Sequence, residues 1–176
     1  MKIYRLYHCD DYAWYEATDA AIKALDYWGT TPRDAKWRTP IVKKMTRQPA
    51  ADFLSVAAVY VPIVSGRAKA VLEPHIGPYS EFLDVATSKG DKYYAINFPE
   101  VSDYFDYEAD PAISKPTIYN NKLVGFDKPQ FLTHKIDKIA FRSPDNSGFF
   151  YTDRFVEICA ANKLTGLSWD IMFADK

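Results

Sequence analysis

Residues able to do chemistry are few in this chain, and their spacing does not gather them. The three histidines, His8, His75 and His134, stand in no HxH or HExxH arrangement, so a zinc site would have to be assembled from distant segments. His8 adjoins Cys9, but neighbours on a strand point to opposite faces and do not readily share one ion or act as nucleophile and base. Carboxylates pair at Asp10 and Asp11 and crowd between Asp103 and Asp110, the groups that glycosidase or nuclease chemistry requires. Burial is what raises a carboxyl pKa for acid catalysis, and these lie in polar sequence. None of the seven glycines falls in GxGxxG, GxxxxGK[ST] or GxSxG, which removes the commonest phosphate loops and the serine-hydrolase elbow. These residues predict no catalytic set, no metal site and no cofactor.

Binding leaves a different trace, and the charge distribution carries it. From Glu73 to Asp110 nine acidic residues face Lys89 and Lys92, a net of −7. Within that stretch, Asp103-Tyr104-Phe105-Asp106-Tyr107-Glu108 alternates aromatics with carboxylates. One reading is a strand edge or loop with ordinary solvated charges. The other is a protein interface, because tyrosine supplies contact area at low entropic cost and carboxylates mask a basic partner site. Asp103, Tyr104, Asp106, Tyr107 and Glu108 are then the partner-binding candidates. Thr31 to Arg47 carries six Lys or Arg against Asp34, and Lys115 to Arg142 six against two acids. The first reads as a solvated face rather than a nucleic-acid patch, since the whole chain has a formal charge of −1. The acidic and basic stretches either pair within the fold or define opposite faces.

The elements that must position these residues are clearest at the C-terminus. Ile136, Ile139 and Phe141 begin an apolar segment, Ser143 to Gly148 is turn-rich, and Phe149 to Tyr151 resumes with aromatics, the pattern of a hairpin. Thr152 or Asp153 can cap a helix whose apolar face is Phe155, Val156, Ile158 and Cys159, and Asn162 to Gly166 stops it. A closing strand follows, with Leu167, Trp169, Ile171 and Phe173 on the buried face and Ser168, Asp170 and Met172 on the other. Earlier, Ile3 to Tyr7 predicts a strand at an edge and Asp19 to Leu25 a helix, although Tyr12, Trp14 and Glu16 could prolong a strand. Tyr27 to Gly29 ends that unit, and Thr30 to Pro40 is a polar loop. Ala50 to Val61 is apolar enough for a helix or a strand, with Phe53, Leu54, Ala57 and Ala58 at helical spacing. Glu73 to Pro78 reads as a loop, and the Asn120-Asn121 pair as the turn of a hairpin.

The C-terminal runs Ile139-Ala140-Phe141-Arg142, Phe149-Phe150-Tyr151-Thr152-Asp153-Arg154-Phe155 and Leu164-Thr165-Gly166-Leu167 resemble the signature of a bacterial immunity-protein family found beside toxins of polymorphic-toxin and type VI secretion systems. Asp91 to Asn97 is similar to that family's Tyr-x-x-Leu-Asn-like strand, with Ile96 where Leu is commoner. The resemblance covers about residues 40 to 173. It implies a helix beginning near Ser65, a cognate toxin as partner, encoded next to this protein, and no conserved catalytic set.

Together these readings predict a single α+β domain: a mainly antiparallel sheet packed against a few helices, with a C-terminal helix followed by a strand. Residues 1–39 form a strand and helix extension packed on an immunity-protein-like domain at 40–176. With 48% hydrophobic and 16% aromatic residues, the chain has ample material for a core. No apolar run reaches the roughly eighteen residues of a membrane span. Asp10, Asp11 and Glu16 stand where a signal peptide needs apolar residues, so the cytoplasm is the expected location. Cys9 and Cys159, far apart and in no CxxC motif, read as small hydrophobes of a reducing compartment.

Overall fold

The computed structural model describes residues 1–7, 9–25, 37–110, 113–119, 122–144 and 148–175. In chain order these form β1 (Lys2–Tyr7), β2 (Trp14–Ala17), α1 (Asp19–Leu25), β3 (Ile41–Lys44), β4 (Ser55–Val56), β5 (Ile63–Ser65) and α2 (Gly66–Ile76). There follow β6 (Glu81–Thr87), β7 (Lys92–Asn97), β8 (Pro116–Tyr119), β9 (Lys122–Phe126), β10 (Ala140–Arg142), β11 (Phe149–Thr152), α3 (Asp153–Ala161) and β12 (Ser168–Ala174). The domain is α+β, with sheets that are antiparallel apart from the β2–β4 and β3–β6 pairings. Residues 8, 26–36, 111–112, 120–121, 145–147 and 176 lie outside the described residues, and with them the predicted Tyr27 to Gly29 end of the first unit, most of the Thr30 to Pro40 loop and the Asn120-Asn121 turn.

Four strands in the order β10-β11-β1-β12 make one sheet, and period-two alternation sends their side chains into two separate cores. Tyr4, Leu6, Phe149, Tyr151 and Trp169 meet Leu72 and Ile76 of α2 and Phe155 and Cys159 of α3. Ile3, Phe141, Phe150 and Phe173 face the other way, where Phe105 and Phe131 cover them. The N-terminal strand is therefore interior rather than an edge, with β11 on one side and β12 on the other. The predicted alternation of the last strand breaks where the β1–β12 register shifts between Ile3 and Tyr4. Past this bulge Met172 joins Phe173 in the core, and Ile171 is left 52% exposed.

The other six strands run β4-β2-β3-β6-β7-β5, and the two ends of that order meet. Phe53 bridges Val64, Leu54 N–H donates to Ile63 C=O at 2.8 Å, and Ser65 N–H donates to Asp52 C=O at 2.8 Å. The sheet thus curls into a small barrel filled by Tyr15, Val42, Val56, Ile63 and Val85, with Ala21 and Leu25 of α1 packed on it. Of the two readings of Ala50 to Val61, strand prevails over a short stretch: residues 53–56 pair with β2 and β5 and are buried, while Ala57, Ala58 and Tyr60 are exposed. Helix α2 starts as the resemblance implies, with Ser65 Oγ accepting from Ala68 N–H at 3.1 Å. It continues through Pro74 instead of ending in a loop, because Leu72 and Ile76, one turn apart, are both fully buried. At α3 the cap position is Thr152, but its hydroxyl donates to Ile139 C=O at 3.2 Å and caps nothing.

One buried carboxylate ties the two sheets together. Asp52, 7% exposed, accepts from Ser65 Oγ at 2.7 Å, from Thr165 N–H at 3.0 Å and Thr165 Oγ at 3.1 Å, and from the Arg67 guanidinium. Arg67 also reaches the carbonyls of Asn162 and Lys163, the unpaired acceptors at the end of α3. Beside it Gly166 has φ +82°, and a Cβ there would lie 2.3 Å from Phe53 O. Gly166→Ala should therefore cost more than about 2 kcal/mol in chemical denaturation, against about 1 kcal/mol for Gly148→Ala, whose φ is +99° but whose surroundings are open. Asp52→Ala, which strands the Thr165 amide and Arg67 together, should cost about 3 kcal/mol by the same measurement.

Candidate functional site

After β7 the chain leaves the barrel and crosses the second face of the four-stranded sheet. Val101 bridges Arg142 of β10, and Ser102 N–H donates to Arg142 C=O at 2.8 Å. Phe105 then pairs with Phe131, flanked by Asp106 N–H to Gln130 C=O and Leu132 N–H to Tyr104 C=O, both at 2.9 Å. Those bonds hold the acidic and aromatic stretch as a short extended ribbon rather than a free loop. Phe105 is its anchor: 3% exposed, its ring lies 4.8 Å from Phe126, 5.1 Å from Phe131 and 6.0 Å from Phe150.

The five sequence candidates take different places on this ribbon. Tyr104 is half-buried, its ring set edge-on 4.9 Å from Phe141, and its hydroxyl donates to Asp137. Tyr107 is 56% exposed, and its hydroxyl donates to the Asp103 carboxylate, 3.0 Å from both oxygens. Asp103 also accepts from Phe105 N–H at 3.4 Å, and Asp106 accepts from Glu108 N–H at 3.1 Å, two local turns that stiffen the backbone. Asp103, Asp106, Tyr107 and Glu108 are brought together around a surface depression of about 500 Å³, with Phe105 in its wall and Leu132, His134 and Lys135 opposite. Tyr104 does not line it.

Electrostatics separate this face from the rest of the acidic stretch. Glu73 pairs with Lys69 at 3.6 Å, Asp84 with Lys92 at 3.1 Å and Glu100 with Lys138 at 2.8 Å. Glu81 accepts from Asn97 and Asp91 from Thr87, at 2.6 and 2.9 Å. Acidic and basic stretches thus pair in part within the fold, through Lys138. Asp103, Asp106 and Glu108 form no ion pair among the described residues, although Lys135 lines the same depression, so three carboxylates against one lysine leave this face net acidic. Of the basic run before Arg47, Arg38, Lys43 and Arg47 are exposed, while Arg33 and Lys36 lie outside the described residues.

Other reactive groups are dispersed. Among the described residues no three His, Cys, Asp or Glu side chains converge as metal ligands would. His75 is exposed at the end of α2, and Cys9 and Cys159 are unpaired. Burial pushes the Cys159 thiol up to about 12, which leaves it a poor nucleophile. No helix among the described residues is long and apolar enough to cross a membrane. Sequence reasoning passed over Asp52, although a lone carboxylate inside the apolar run AADFLSV was a signal that it must be paired. No family model matches the chain, and no curated protein does.

Burial raises several phenols above their ordinary value. Tyr104 is pushed up to about 12 by burial and then by its bond to Asp137, and Tyr15, Tyr79, Tyr93 and Tyr151 also move upward, burial being the largest cause in each. A folded-state pKa above the unfolded one means stability that is complete below pH 10 and lost as pH rises through the folded values. Absorbance titration at 295 nm should show a late-ionising tyrosine group above pH 10 that merges with the ordinary wave in denaturant. Tyr104→Phe should remove one member of it.

Proposed function

We propose that this protein is an immunity protein that neutralises a cognate bacterial toxin by occupying its active or functional surface, with no chemistry of its own. The observation that carries the reading is the rigid face at 103–108. Three carboxylates that form no ion pair with a described residue surround an exposed tyrosine, with Lys135 across the depression, on a backbone pinned by Phe105 and by hydrogen bonds to residues 130–132. Such a surface suits a basic groove: the charge speeds encounter, the tyrosine supplies the buried contact, and prior ordering lowers the entropy lost on binding. The C-terminal resemblance to immunity proteins supports the same reading. Its Thr165-Gly166 turn is the part that Asp52 holds, so the likeness concerns the scaffold, while the proposed contact lies on the ribbon laid over it. Neutralisation needs complementarity and slow release, so a protein of this kind requires no catalytic set. The reading places it in the cytoplasm, alongside a toxin encoded next to it.

The test is co-purification with the product of the adjacent gene and growth with that product expressed alone or together with this protein. A tight complex and rescued growth are expected; a harmless neighbour that forms no complex would overturn the reading. Within the complex, Tyr107→Ala combined with Glu108→Lys should weaken affinity at least about 30-fold and slow association, with the unfolding midpoint moved by no more than about 3 °C. Unchanged affinity would remove this face from the interface.

A further inference from the structure

A second concavity lies on the opposite face of the four-stranded sheet, where it meets the barrel. It encloses about 340 Å³, within the range of about 300–1,000 Å³ typical of small-molecule pockets. Leu6, Phe149 and Tyr151 form its wall from the sheet, and Phe53, Val61 and Pro62 its wall from the barrel. Tyr60, 76% exposed, and Tyr7, 46% exposed, stand at its rim. Junctions of this kind, apolar with a few fixed polar groups, are where small ligands commonly bind.

Two largely buried residues that carry hydroxyls, Tyr151 and Ser55, contribute to the lining. Tyr151 is 2% exposed, packed between Phe155 and Trp169, and its hydroxyl makes no hydrogen bond with any described residue. Ser55 is 3% exposed; its Oγ accepts from Cys9 N–H at 3.3 Å, and its own proton has no acceptor among the described residues. No described residue takes either proton, so both donors are available to an acceptor that enters the cleft. Arg5 also lines the cleft, but its guanidinium packs 5.2 Å from the Phe150 ring, on the other face of the sheet. Burial keeps the Tyr151 phenol protonated throughout the working pH range, so it stays a donor.

We propose that this cleft binds a compact, uncharged molecule with an aromatic-sized apolar body and one hydrogen-bond acceptor, which meets the hydroxyls of Tyr151 and Ser55. The site is independent of the ribbon at 103–108 and of the immunity reading.

The neutral naphthalene ketone prodan is the probe, because its emission shifts to the blue when it leaves water. With the full-length protein a saturable shift at one molecule per chain is expected, and binding should be at least about fivefold tighter than that of N,N-dimethyl-2-naphthylamine, which lacks the ketone. Tyr151→Phe with Ser55→Ala should abolish that preference while retaining the weaker apolar binding, and Val61→Trp, which fills the cleft, should abolish both. Absence of a saturable shift in the wild-type protein overturns the proposal, as does an undiminished preference for the ketone in the double variant. If Val61→Trp does not fold, the double variant decides alone.

Discussion

The Asp52 carboxylate is the joint on which the two halves of the molecule depend. It belongs to the barrel by sequence, yet its oxygens are satisfied by the cap of α2, by Arg67 and by the Thr165 turn between α3 and β12. A carboxylate this deeply placed is tolerated only when fully bonded, so the arrangement is all-or-none: the partners must converge from three segments before its burial ceases to be costly. Backbone bonds reinforce the joint, since Phe53 N–H donates to Thr165 C=O at 3.0 Å. Gly166 is the corollary, because the turn approaches the barrel so closely that no Cβ fits.

Once the joint is made, the four-stranded sheet has one face committed to the helices and the barrel, and the other needs a cover. The excursion between β7 and β10 supplies it, with Phe105 and Phe131 inserted against Phe141 and Phe150. Burying those rings contributes roughly 1.5–3 kcal/mol each, and that is what fixes the ribbon carrying Asp103, Asp106, Tyr107 and Glu108. Alternation then has a direct consequence: the residue that buys order faces in, and the charges next to it are forced out. The proposed contact surface is thus the solvent side of a core element, which accounts for its rigidity.

Segments with strong local pattern were legible. The hairpin, helix and strand from Ala140 to Ala174 and the helix at Asp19–Leu25 follow from periodicity and punctuation that neighbours reinforce, and the strand at Lys92–Asn97 lies where the family resemblance implied one. Where local and tertiary demands diverge, the pattern misled. Phe53, Leu54, Ala57 and Ala58 have helical spacing, but Phe53 and Leu54 close the barrel against β5, and Ala57 and Ala58 form an exposed turn. Pro74 looked like a stop, yet burial of Ile76 outweighs its missing hydrogen bond. Ile171 has the right parity for the core, and a bulge one residue later turns it to solvent.

Sequence alone therefore determined the class of fold, the C-terminal order of elements and the clustering of carboxylates with aromatics at 103–108, because composition, short-range periodicity and turn chemistry are local properties. Tertiary structure alone decided which carboxylates form no ion pair, that β1 lies inside a sheet, and that Asp52, Arg67 and Thr165 meet. It also brought Tyr151 and Ser55 to one cleft. Those outcomes rest on pairings between residues far apart in sequence, 113 positions for Asp52 and Thr165 and more for β1 with β12, and no window of sequence contains both partners.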